Sequence, residues 1–176
     1  MNMGIIAGSR LKEVLNLFGD LGNATNKWTG GVLAPNGKIY GIPTSSNKIL
    51  EIDPSNNTTS LFGDLSVIGS GLKWRGGVLA PNGKIYGIPA NTTKILEIDP
   101  VNQTTSLFGN VGNSDSDWYG GVLAPNGKIY CIPLNATQIL VIDNLDTPNI
   151  IGSDANIPAS LANLATSNYN EYYNKL

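Results

Sequence analysis

Apolar residues fall in short runs separated by turn residues, and each run is too short for a helix. Val32-Leu33-Ala34 leads into Pro35-Asn36-Gly37, and Lys38-Ile39-Tyr40-Gly41-Ile42 follows. Pro fixes φ at the first turn position and Gly takes the left-handed position of a hairpin bulge. The stretch therefore predicts two antiparallel strands joined by a three-residue loop. Ile49-Leu50-Glu51-Ile52 predicts a third strand, and Thr58 to Phe62 a fourth, beyond the turn Asp53-Pro54-Ser55-Asn56-Asn57. Pro43 closes the second run, where its missing N–H does no harm. Gly, Pro and β-branched residues come too often for helix.

The pattern then repeats. Residues 30–43 read GGVLAPNGKIYGIP, residues 76–89 read the same fourteen letters, and residues 120–133 differ only at Cys131. KILEIDP at 48–54 returns at 94–100 and as QILVIDN at 138–144. TTSLFGD at 58–64 returns as TTSLFGN at 104–110 and, more loosely, as TPNIIGS at 147–153. Near the start, Leu17-Phe18-Gly19-Asp20 matches Leu61-Phe62-Gly63-Asp64, and Ile5-Ile6 falls where Ile49-Leu50 stands.

Four strands in a unit of about 44 residues predict a β-propeller blade. A solenoid wants shorter coils, and a sandwich does not repeat itself at near identity. The expected fold class is all-β: three four-stranded blades over 28–65, 74–111 and 118–152, after an N-terminal half-blade over 4–20. A non-repeat tail over 155–176 follows. Leu161, Leu164, Tyr169, Tyr172 and Tyr173 recur there at roughly helical spacing, which predicts a short helix or arm.

Composition narrows the chemistry. Eleven basic against thirteen acidic residues give a net charge of -2, which argues against an electrostatic nucleic-acid binder. There is no His, so His bases, His metal ligands and Ser-His-Asp arrangements are excluded. The single Cys excludes an internal disulfide and a Cys-based zinc site. No cofactor motif is present. Asn113 to Asp117 resembles the start of a calcium loop, but Trp118 stands where the sharp-turn Gly belongs. The N-terminal stretch lacks the apolar run of a signal peptide, and no run approaches 18 apolar residues. Cytoplasmic synthesis without membrane insertion is the expectation.

The unit W-x-G-G-V-L-A-P-N-G-K-I-Y-x-I-P, followed by I-L-x-I-D-P and T-T-S-L-F-G, resembles a class of short β-propeller repeat proteins of bacteria, protists and viruses. It is distantly similar to Kelch and YVTN-type repeats. The resemblance covers about residues 28–152. It implies the propeller fold and a binding or scaffolding role, and it brings no catalytic residues with it. A weaker similarity to tachylectin-type lectins rests on repeat length, a Trp ahead of the first strand and the Pro-Asn-Gly hairpin. It implies sugar binding as an alternative. The Asn- and Ile-rich composition and the Tyr-Asn-rich tail associate the chain with structural proteins of a phage or virus particle, and so with incorporation into a virion.

Propeller geometry sorts the loops onto two faces. The Pro-Asn-Gly and Asp-Pro-x-Asn turns are nearly invariant and read as structural. The loops from second to third strand, and from blade to blade, vary, and binding residues tend to sit on loops of that kind. The ligand-binding candidates on this face are Trp28, Trp74 and Trp118 with their neighbours Lys27, Lys73, Arg75, Asp117 and Tyr119. Each Trp is expected just before the innermost strand. Its ring could stack on a sugar or anchor a peptide, or it could wedge between blades. Lys38, Lys84 and Lys128 read as solvated hairpin residues, and Asp53, Asp99 and Asp143 as caps of their own turns.

Calcium-dependent hydrolase is the second alternative, and the inner strands Gly-Gly-Val-Leu-Ala offer it no carboxylate. The expectation is therefore a binding or assembly module that is not an enzyme. Three blades and a half leave apolar faces open at each end, so protein partners or self-association are expected, with glycan as the other candidate.

Overall fold

The computed structural model describes residues 15–112, 116–143 and 145, and all of them fall within one compact unit. The expected tail at 155–176, the first part of the half-blade and the fourth strand of the third blade lie outside the described residues. The described part is all-β. The first sheet runs in the order β1 (Trp28–Leu33), β2 (Ile39–Pro43), β3 (Ile49–Asp53), β4 (Thr58–Phe62). The second repeats it with β5 (Trp74–Leu79), β6 (Ile85–Pro89), β7 (Ile95–Asp99) and β8 (Thr104–Phe108). The third holds β9 (Trp118–Leu123), β10 (Ile129–Pro133) and β11 (Leu140–Ile142). All pairings are antiparallel, and these three sheets do not close into a ring.

The hairpin chemistry is as the residues require. Gly37, Gly83 and Gly127 all have positive φ, and Asn36 Oδ1 accepts from the Lys38 amide at 3.1 Å. The innermost strand is longer than expected. It opens on the Trp itself, not after it, because Trp28 pairs with Pro43 before the ladder shifts register and resumes at Gly31 with Gly41. A 3-10 turn at Ser66–Ile68, absent from the sequence-based expectation, carries the chain from the first blade to the second.

The Gly-Gly pair of each inner strand has two separate jobs. The first glycine sits at the bulge with φ of 77, 72 and 76° at Gly30, Gly76 and Gly120. It also lets neighbouring inner strands approach. An added Cβ at Gly30 would stand 3.4 Å from Gly76 Cα, and one at Gly76 would stand 3.4 Å from Gly120 Cα. The second glycine makes room for the preceding blade. A Cβ at Gly77 would stand 2.6 Å from Ile42 Cδ1, and one at Gly121 would stand 2.9 Å from Ile88 Cδ1.

Strand alternation gives each blade a leading face, towards the blade before it, and a trailing face, towards the blade after. Ile42 and Ile49 on the trailing face of the first blade pack with Trp74, Ile85, Leu96 and Ile98 on the leading face of the second. Val78, Ile88 and Ile95 repeat that contact with Trp118, Ile129 and Ile142 of the third. The core is thus a series of equivalent layers between blades rather than one central cluster.

Candidate functional site

The variable loops do share one end of the blades. The Lys73 amide donates to Thr44 O at 2.8 Å, the Ala90 amide to Lys73 O at 2.9 Å, and the Asp117 amide to Ala90 O at 3.1 Å. Each β2–β3 loop is therefore stitched to the segment that enters the next blade. The three indoles occupy equivalent places within this lattice. Trp28 Nε1 donates to Lys48 O at 2.9 Å, Trp74 Nε1 to Lys94 O at 2.8 Å, and Trp118 Nε1 to Gln138 O at 3.1 Å. Trp74 and Trp118 are buried between blades, whereas Trp28, with no described blade before it, is half-buried.

The flanking residues differ from blade to blade. Lys27 Nζ donates to Leu21 O at 2.8 Å and Gly22 O at 2.6 Å, and stands 5.6 Å from the centre of the Trp28 ring. Lys73 is buried, with its ammonium on Ser45 O at 3.3 Å and Asn47 Oδ1 at 3.0 Å, and burial lowers its pKa. Arg75 lies over the Tyr119 ring at 5.5 Å, so the inner strands of the second and third blades join there. Tyr119 is exposed and Asp117 half-buried. Of the eight candidates, the arrangement brings Arg75 and Tyr119 together and pairs Lys27 with Trp28. Lys73, Trp74 and Trp118 are held inside the blade packing.

At the opposite end the lysines are not free solvated residues, which corrects that expectation. Lys38 Nζ is 2.7 Å from Glu51 Oε1, and the Tyr40 hydroxyl donates to Glu51 Oε2 at 3.0 Å. Gln103 from the next blade donates to Glu51 Oε2 at 3.0 Å. Lys84, Tyr86 and Glu97 repeat the cluster. In the third blade Val141 stands at the acid's position, and Lys128 bonds Asp143 instead. Asp53 and Asp99 do cap their own turns, through Ser55 and through Val101 and Asn102. Cys131 is buried, and its thiol is pushed up to about 12 by that burial. Among the described residues, no group of three or more His, Cys, Asp or Glu side chains could hold a metal ion. Among them too, no helix is long and apolar enough to cross a membrane.

No protein-family model matches the chain, and no curated protein matches it. Solved structures do. A catalytically inactive virginiamycin B lyase from Staphylococcus aureus, solved with quinupristin, is similar at 22% identity and a TM-score of 0.55, over 69% of this chain and 41% of its own. A streptogramin B lyase is similar at 18% identity and a TM-score of 0.57, over 69% and 39%. The extracellular domain of BT4673 from B. thetaiotaomicron is similar at 11% identity and a TM-score of 0.52, over 66% and 15%.

These likenesses show the fold. The three sheets are β-propeller blades, and the chain spans about two-fifths of the length of the lyases it matches. They also correct the expectation that the chain is not an enzyme, because similar propellers are lyases. The reason is physical. Propeller chemistry is carried by side chains grafted onto the scaffold, so inner strands without carboxylates do not set these blades apart from enzymes.

The trailing face of the third blade is the feature the sequence reading located only in outline. Val122, Ile132 and Ile139 are 59%, 49% and 61% exposed, whereas Val78, Ile88 and Ile95 at the same positions of the second blade are 9%, 0% and 5% exposed. Leu134 and Val141 widen the exposed apolar surface.

Proposed function

We propose that the chain is a binding and assembly module that supplies propeller blades to a larger particle. The observation that supports this is the apolar trailing face of the third blade, built from the residues that the first two blades bury. A contiguous apolar face of this kind on a soluble protein marks an interaction surface. In this reading the chain is one of the short-repeat propeller proteins its motif resembles, and a structural component of a phage or virus particle is the setting that suits it. The ligand-contacting residues are those of the variable-loop end, Lys27, Trp28, Arg75, Asp117 and Tyr119, with Lys73, Trp74 and Trp118 fixing the blades behind them. The Tyr119 ring, exposed and backed by Arg75, favours a glycan as the second reading, because such rings stack on sugars.

Sedimentation velocity of the pure chain over a micromolar concentration series tests the assembly reading. Species heavier than the 18.6 kDa monomer should grow with concentration. A monomer at every concentration that also fails to bind a dye specific for apolar surface would overturn it. A glycan array run with the native chain and with Tyr119→Ala tests the second reading.

A further inference from the structure

We infer that the partner on the trailing face of the third blade is a second copy of this chain, docked head to tail through the leading face of its first blade. This rests on the assembly reading and names the partner within it. The argument is one of repetition. The interface between first and second blades and that between second and third use the same residues, so the rule for what covers a trailing face is visible twice. The covering face carries a Trp, a glycine without room for a Cβ, and apolar residues of the second and third strands. The first blade presents that set with no described blade before it. Trp28 is half-buried, and Gly31 and Leu33 are exposed. Gly31 is the counterpart of Gly77, and the nearest side chain to a Cβ built on it belongs to its own blade, Ile39 at 3.2 Å. Ile132 of a second copy would fill the space above Gly31 as Ile42 fills that above Gly77.

A second, independent observation gives the register. Leu17-Phe18-Gly19-Asp20 matches Leu61-Phe62-Gly63-Asp64, and it also sits in the matching place. A Cβ at Gly19 would stand 3.1 Å from Thr59 Cγ2, and one at Gly63 would stand 3.1 Å from Thr105 Cγ2. Gly19 therefore meets the first blade where the glycine that ends the outermost strand of a preceding blade would meet it. Leu15, Leu17 and Phe18 are exposed there. When a third blade of one copy precedes the first blade of another, this segment falls beside β11 as β4 lies beside β3, exchanged between copies for the strand that the sequence predicts at 147–153, with β11 standing where the half-blade's Ile5-Ile6 run is expected. The β3–β4 register, Ile49 with Phe62 and Glu51 with Ser60, then sets Ile139 opposite Phe18, and Val141 opposite Asn16. Phe18 would meet Tyr130 edge-on, as Phe62 meets Tyr40 at 6.1 Å and Phe108 meets Tyr86 at 6.0 Å. The contact is heterologous, so copies add until a ring closes or, where the rotation does not close, in an open filament.

Complementation tests this. Gly31→Val blocks the leading face and Ile132→Asp blocks the trailing face; both positions are exposed, and Ile39 must give way by a few tenths of an ångström for the valine. Circular dichroism checks first that each variant folds. Each variant alone should sediment as a monomer at concentrations where the native chain associates, and an equimolar mixture should give dimers and nothing larger. In a mixture of Asn16→Cys and Val141→Cys chains, oxidation should give a disulfide-linked heterodimer, which neither chain gives alone. A native chain that associates, with variants that associate as well or a mixture that stays monomeric, would overturn the head-to-tail contact and leave the assembly reading standing. A native chain that stays monomeric throughout would overturn both.

Discussion

The second and third blades carry nearly the same sequence and live in different surroundings. Residues 76–89 and 120–133 differ at one position, yet among the described residues the second blade has a neighbour on each face and the third has a neighbour on one. Ile88 is sealed beneath the third blade, and Ile132 faces outward. Nothing local to either isoleucine sets its burial. In a repeat protein the environment of a residue is decided by the next unit, so stability is a sum of blade terms and nearest-neighbour interface terms. An apolar face without its neighbour is then an interface with one side present.

The comparison is broken most severely at the tryptophans. Trp74 is fully buried between the first two blades and donates its N–H to Lys94 O, while Trp28 makes the same hydrogen bond on a half-open face. Trp74→Ala should cost about 3–5 kcal/mol, the range for removing a large buried aromatic. Trp28→Ala should cost less than half of that in the isolated chain, because the cavity it leaves is open to water. Urea denaturation of the two variants checks the difference. Equal losses would mean that the leading face of the first blade is already covered.

A gentler test uses the isoleucines. Ile88→Ala removes three buried carbons from the second interface and should destabilise by about 2–5 kcal/mol. Ile132→Ala, at the same position one blade later, should stay within about 0.5 kcal/mol in the monomer, as surface substitutions do. Thermal unfolding at low protein concentration measures both. Raising the concentration sharpens the comparison, since a partner on the third blade would make the Ile132→Ala effect grow.

Much of this architecture was legible in the sequence because it is written locally. Pro35-Asn36-Gly37 fixes a hairpin by its own φ requirements, and the 46- and 44-residue spacings of the Gly-Gly motif mark the blades. What was not legible depends on contacts between blades. The role of Gly30 follows from Gly76 of the next blade, and that of Gly77 from Ile42 of the blade before. The Lys38–Glu51 pair joins residues on neighbouring strands and draws in Gln103 from the next blade. The alternation Lys38-x-Tyr40 facing Glu51 could have suggested the pair, since cross-strand neighbours on one face interact. The site candidates were the least legible, because a Trp repeated in every blade has the same sequence signature whether it packs or binds. What the structure adds is exposure: Trp74 and Trp118 are buried between blades, whereas Tyr119 stands exposed beside Arg75.

The smallest expected effect lies at the Pro-Asn-Gly end and depends on pH. Burial alone would raise the Glu51 carboxyl, but hydrogen bonds from Lys38, Gln103 and Tyr40 outweigh it and hold the group below its ordinary 4.5. Burial likewise opposes, and bonds from Lys84 and Tyr86 overcome, the shift at Glu97. Both carboxyls therefore bind protons less readily in the folded chain than in the unfolded one. Their stabilisation is complete above the unfolded value of 4.5 and is lost as the pH falls through the folded values. The third blade has Val141 in place of the acid, and its Lys128–Asp143 pair is exposed, a setting in which ion pairs add little. The melting temperature should fall as the pH drops below 4.5. Glu97→Gln should flatten that fall, and Asp143→Asn should leave it unchanged. A profile equally sensitive to both substitutions would mean that the exposed pair of the third blade carries the same weight as the half-buried acid of the second.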